Sequence, residues 1–140
     1  MKKYLFFIVF ITMSFVLKSQ KNMVSCLEID FQDFFLNDSV SLAINQYFIF
    51  ANKILNSDFS SGITDMRVKI YRSKNESFVI IGNDSIMIGS MTDTIIINAT
   101  LNGNENKYKI DIDKGKYIGL SKKCDDGFIL YQSKEPFEYD

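Results

Sequence analysis

The sequence predicts an all-β fold, an antiparallel two-sheet β-sandwich of eight or nine short strands, and three observations carry that prediction. Beyond Gln20 the chain is a series of short β-branched and aromatic runs in which apolar and polar side chains alternate, the period of a half-buried strand. Between the runs stand Asn, Asp, Ser and Gly at the spacing of sandwiches and barrels, while Pro occurs once. No later segment has the 3.6-residue period of a long helix, and no internal repeat is present. A small closed β-barrel is the alternative architecture.

The first 19 residues stand apart. Lys2 and Lys3 precede an uncharged apolar stretch, residues 4–17 (YLFFIVFITMSFVL). It is shorter than the roughly 20 residues of a membrane-spanning helix and suits the h-region of a cleavable secretory signal. Cleavage after Ser19 leaves residues 20–140 as one domain, secreted or periplasmic. An N-terminal signal helix is therefore expected ahead of the sandwich. Removal of Lys2, Lys3 and Lys18 leaves 13 basic against 17 acidic side chains. A mildly acidic domain with no cationic stripe lacks the footprint that phosphate backbones demand, so nucleic acid is not an expected partner. Membrane contact is expected through the transient signal alone. Lipid anchoring through Cys26 is a second route, although Met23-Val24-Ser25-Cys26 is a poor lipobox and Lys18 and Lys21 separate it from the apolar run.

Each element follows from its own pattern. Leu27, Ile29 and Phe31 alternate with Glu28, Asp30 and Gln32, which makes a strand with an acidic outer face. The phase then slips at Phe34, Phe35 and Leu36, a bulge or a strand end whose aromatics belong to a core or an interface. Val40, Leu42 and Ile44 face Phe48 and Phe50 across Asn45-Gln46 as a hairpin. Residues 52–65 form the longest polar connection, opened by a short helical turn at residues 51–55. Its Asn56, Ser57, Asp58, Ser60, Ser61, Gly62, Thr64 and Asp65 are the candidate binding loop. Met66, Val68 and Ile70 alternate with Arg67, Lys69 and Tyr71, and this basic outer face matches the acidic one of Glu28 and Asp30. Residues 78–81 and 86–91 flank a second hairpin turn, and the Ile-rich residues 94–101 suit a central strand. Asn102-Gly103 is the strongest turn signal. Beyond it lie strands at residues 108–112, 117–120 and 128–131, separated by Lys114-Gly115 and by Asp125-Asp126-Gly127.

This inventory suits an Ig-like or transthyretin-like sandwich. Residues 108–121 (YKIDIDKGKYIGLS), a strand, a Lys-Gly turn and a Tyr-bearing strand, resemble the hairpin of exported transthyretin-like and carboxypeptidase-regulatory-like domains.

The side chains limit the chemistry. The chain has no His, which removes Ser-His-Asp and Cys-His catalysis and histidine-bound zinc. Cys26 and Cys124 are too few for an all-cysteine zinc site and, after export, are expected to form a disulfide. Asp111-x-Asp113-x-Gly115 has the outline of a calcium loop, but Lys114 and Lys116 oppose a cation there. No cofactor is expected. Asp-Ser/Thr-aliphatic occurs at Ser39, Ser85 and Thr94, similar to the O-glycosylation signal of some Gram-negative exported proteins, and equally the way a strand begins. The leading functional expectation is an exported, non-catalytic binding or structural module whose partner is another protein or an envelope component. An exported inhibitor or immunity-type protein is the first alternative, and a small hydrolase using Asp111 with Asp113, or Asp125 with Asp126, is the second.

Overall fold

The computed structural model describes residues 24–139, so the leader expected over residues 1–19 lies outside the described residues. Ten strands form, one or two more than expected: β1 Ser25–Phe31, β2 Asp38–Ile44, β3 Tyr47–Leu55, β4 Arg67–Arg72, β5 Ser77–Ile81, β6 Asp84–Ile88, β7 Thr94–Leu101, β8 Asn104–Asp111, β9 Tyr117–Lys122 and β10 Phe128–Ser133. A six-stranded sheet in the order β10-β9-β1-β4-β5-β6 and a four-stranded sheet in the order β3-β2-β7-β8 share one hydrophobic core. The sheets are not closed into a barrel.

Alternation built these strands. In β1, Leu27, Ile29 and Phe31 are fully buried, while Glu28 and Asp30 face outward. β1 lies beside β4 with Glu28 opposite Lys69 and Asp30 opposite Arg67, so the acidic and basic faces meet as the residue types require. The Asn45-Gln46 and Asn102-Gly103 turns have positive φ at both residues, the mirror-image turn that follows the right-handed twist of paired strands. Phe31 sits at the centre of an aromatic cluster, with ring centroids of Phe35, Phe50 and Phe128 at 6.1, 5.9 and 6.3 Å.

Three expectations are corrected. The sandwich is not wholly antiparallel: β1 and β9 run parallel, with Glu28 opposite Tyr117 and Phe31 opposite Leu120. The hairpin expected across residues 108–121 does not form, because β8 pairs with β7 while β9 pairs with β1 and β10. A 3-10 turn, Ile112–Lys114, carries the chain from one sheet to the other. Gly115 ends it with φ 141° against the Ser133 carbonyl, leaving no room for a Cβ. The helical turn expected at residues 51–55 is instead the end of β3, which absorbs Asn52 as a bulge at φ 52°.

The strand directions sort the loops between two ends. The base, where β1 begins, gathers the β2–β3, β4–β5, β6–β7 and β8–β9 connections. The tip gathers β1–β2, β3–β4, β5–β6, β7–β8 and β9–β10.

This sorting overturns the disulfide. Cys26 begins β1 at the base, whereas Cys124 follows the end of the parallel strand β9 at the tip, and both thiols are free. At about 3.3 Å per residue the register holds their backbones more than about 20 Å apart, against the roughly 7 Å limit for a bridge. Burial pushes the half-buried Cys26 thiol up, partly offset by Arg72 and Lys116, whereas Cys124 is exposed. Intact mass without reductant is therefore expected to show two free thiols, with iodoacetamide labelling Cys124 well before Cys26. A mass 2 Da lower, with one linked peptide carrying both residues, would contradict this register.

Candidate functional site

At the tip, two loops are tied together by side chains of the candidate binding loop. Ser57 Oγ donates to the Gln32 carbonyl at 2.6 Å and accepts from the Phe35 amide at 3.1 Å. The Ser57 amide donates to the Phe35 carbonyl, and the Asn37 amide donates to Asn56 Oδ1 at 2.7 Å. Thr64, buried, sends its hydroxyl and its amide to the Phe31 carbonyl. The β1–β2 and β3–β4 connections thus form one surface.

The β3–β4 loop also closes on itself. Asp58 accepts from the amides of Ser60 and Ser61 and from the Ser60 hydroxyl, and these hydrogen bonds hold its carboxyl below the usual carboxylate range. The Gly62 amide donates to the Asp58 carbonyl, and Gly62 turns the chain at φ 68°. Phe59 lies within this turn with its side chain wholly exposed, and Asp65 is exposed beyond it.

The facing loop exposes two more large apolar side chains. Phe35 turns inward onto Phe31 and Phe128, which forces its neighbours Phe34 and Leu36 outward; both are about three-quarters exposed. Phe34 adopts φ 71°, a left-handed conformation that costs a non-glycine residue about 1 kcal/mol or more. Bare Phe34, Leu36 and Phe59 therefore stand on two connections that contain no Lys or Arg. Asp33, Asp58 and Asp65 on the same loops have no cationic partner within 4 Å among the described residues.

A second knot holds this surface to both sheets. Asp38 Oδ1 accepts from Lys122 Nζ and from Asn102 Nδ2, each at 2.7 Å, and Asp38 Oδ2 accepts from the Leu36 amide at 2.7 Å. Asn102 also accepts from the Ser39 amide and reaches Asp126. Burial alone would raise the Asp38 carboxyl, but the hydrogen bonds from Lys122, Asn102 and Leu36 outweigh it and keep it below the usual range. The same bond to Asp38 raises the Lys122 ammonium.

The other sequence candidates lie elsewhere. Asp111 and Asp113 border a cleft of about 590 Å³ at the base, shared with Cys26, Arg72, Asp93 and Lys116. Asp111 caps the 3-10 turn by accepting from the Asp113 amide, so the pair is occupied as a turn rather than splayed around a cation. Among the described residues no three His, Cys, Asp or Glu side chains cluster as metal ligands. Asp125 and Asp126 lie beside Lys123 and Lys122 at 3.9 and 3.5 Å. Ser39 is the half-buried second residue of β2, while Ser85 and Thr94 are exposed at the starts of β6 and β7. All three Asp-Ser/Thr pairs thus open strands.

Sequence reasoning found the β3–β4 loop but passed over Phe59, whose signal was one aromatic within an otherwise polar run. No protein-family model, no curated protein and no solved structure matches the chain.

Asp38 gives the measurable consequence. Asp38→Ala is expected to cost about 2 kcal/mol of unfolding free energy at pH 7, since it leaves the Leu36 amide without its acceptor and leaves Lys122 only the longer contact to Asp126. Because the folded carboxyl titrates low, its contribution is complete above the ordinary carboxylate pKa of about 4 and fades as pH falls through the folded value. Urea denaturation of wild type and variant from pH 7 to pH 2.5 should show the two curves converging at the acid end.

Proposed function

We propose that the protein is an exported, non-catalytic binding module of the cell envelope or extracellular space that docks another protein through its tip. One observation carries this reading: Phe34, Leu36 and Phe59 are bare, yet their loops are cross-tied by Ser57, Asn56 and Thr64. Apolar groups gathered on tied loops mark interaction surfaces where single ones do not, and fixed ones need less ordering on binding than mobile ones. The left-handed Phe34 supports the same conclusion, because local strain persists where the surroundings over-determine it and gathers at functional positions.

Export and geometry are compatible. The described residues begin at the base, where β1 starts, so a leader removed ahead of them, or a lipid tether at Cys26, is attached at the end opposite the tip. The absence of His and the turn-bound or lysine-bound state of the paired aspartates give catalysis no support. The alternative of an exported inhibitor draws on a separate observation, that Asp33, Asp58 and Asp65 on the two loops have no cationic partner within 4 Å among the described residues and neither loop contains a Lys or Arg. Such a loop suits an enzyme cleft with an apolar floor and a basic rim.

Capture from envelope extract with wild type and with Phe59→Ser tests the reading. The wild type should retain one stoichiometric partner, and Phe59→Ser should lose about 100-fold in affinity, the scale of an interfacial hot spot, with an unchanged melting temperature. Inhibition of the retained partner's turnover selects the inhibitor, while retention by cell-wall glycan or a surface protein selects the structural module. Undiminished retention by a Phe34→Ser/Leu36→Ser/Phe59→Ser variant would overturn docking through the tip.

A further inference from the structure

On the outer face of the six-stranded sheet, the chain that follows β10 brings Tyr139 onto β1. After Ser133 the chain doubles back, and Tyr139 arrives at the tip-ward end of β1. Its hydroxyl accepts from Gln32 Nε2 at 2.8 Å and donates to Asp30 Oδ2 at 3.2 Å. The floor beneath is Gly119 of β9, where a Cβ would lie 2.5 Å from Gln32 Oε1. The missing side chain is what allows the Gln32 amide to lie against the sheet. Gln32 is 6% exposed and Ser121 2%, and the Ser121 hydroxyl donates to Gln32 Oε1 at 3.4 Å.

A buried primary amide on an outer sheet face is costly unless it is partnered, and the partner of its Nε2 is the Tyr139 phenol. Burial raises that phenol, with Asp30 adding to the effect against Gln32 and Arg67, so it stays protonated as the donor to Asp30. Among the described residues, the chain after Ser133 makes no backbone–backbone hydrogen bond. Beside Tyr139 a cavity of about 270 Å³ continues toward Ile63, Thr64 and Arg67.

We propose that this face is a tyrosine-binding groove, a site for a tyrosine-bearing peptide segment that is filled here by the chain's own C-terminal residues. Gly119 supplies the floor, Gln32 the donor and Asp30 the acceptor. Because side chains do the holding, the same segment from a second copy can replace it without breaking a sheet hydrogen bond. The groove stands independently of the docking surface.

Thermal unfolding of full-length Tyr139→Ala with p-cresol, and with toluene as the hydroxyl-free control, is the test. The substitution empties the phenol position, and millimolar p-cresol should raise the variant's melting temperature by about 3 °C, toluene by less than half of that, and the wild type by nothing. No response of the variant to p-cresol, or an equal response of the wild type, would overturn the groove. Should Tyr139→Ala fail to fold, the wild-type Tyr139 phenol followed by NMR decides. Titration well above free tyrosine supports a filled groove, and titration as free tyrosine overturns it. The occupant is the chain's own segment, which sedimentation equilibrium checks. Monomers throughout support it, whereas a wild-type dimer lost in Tyr139→Ala would overturn it in favour of a second copy's segment.

Discussion

The arrangement depends on aromatic crowding at the end of β1. Phe31 and Phe35 are both buried in the cluster with Phe50 and Phe128, although only three residues separate them and the strand has already ended. A strand would send Phe35 to the same face as Phe31 without strain, but the chain must leave the sheet here to begin β2 in the other one. It does so by letting Phe34 take a left-handed conformation and point into water. Filling the core with Phe35 thus fixes Phe34 and Leu36 at the surface, and the core's packing energy offsets the local strain. Removing that packing would free the strained segment to relax, so surface and core are one construction.

Polar contacts then fix what the core leaves exposed. Ser57 of the other loop holds the amide of Phe35, and Asp38, two residues along and itself bound to Lys122 of the other sheet, holds the amide of Leu36. The Asp38 knot joins β2 in one sheet to Lys122 of β9 in the other, a link made possible because β9 runs parallel to β1 and delivers its last residue to the tip. The Glu28–Lys69 and Asp30–Arg67 pairs on the outer face contribute less individually, being partly exposed, but they set the register of β1 against β4. That register places Asp30 where the Tyr139 hydroxyl finds it.

Much of this was legible in the residues themselves. Strict alternation in β1, β2 and β4 read directly as strands, the matched charges of β1 and β4 read as neighbours, and Asn102-Gly103 read as a turn, although the loop expected to continue through Asn104 to Asn106 is already β8. The crossing from β8 to β9 was not legible. A strand, a glycine turn and another strand look alike whether the second strand folds back or changes sheet, and Gly115 serves either outcome. β9 was further disguised because Gly119 and Ser121 are buried beside the Gln32 side chain, which erases its alternation. The cysteine pair misled for the same reason: once β9 runs parallel to β1, the two thiols belong to opposite ends. At Phe34, Phe35 and Leu36, consecutive apolar residues carry no phase, so the sequence could flag the stretch without saying which ring faces outward. The extension of β3 was hidden because Asn52 and Lys53 sit at a bulge rather than in a loop.

Amide hydrogen exchange resolved at Phe35 and Ser57 tests most directly whether the tip is held in one geometry. Both amides face partners across the two loops, Phe35 to Ser57 Oγ and Ser57 to the Phe35 carbonyl. The account predicts exchange at least about 100-fold slower than in an unstructured peptide at both positions. Exchange at the unstructured rate, with β1 and β2 still protected, would mean that Phe34, Leu36 and Phe59 ride on loose loops and that the surface is not pre-formed.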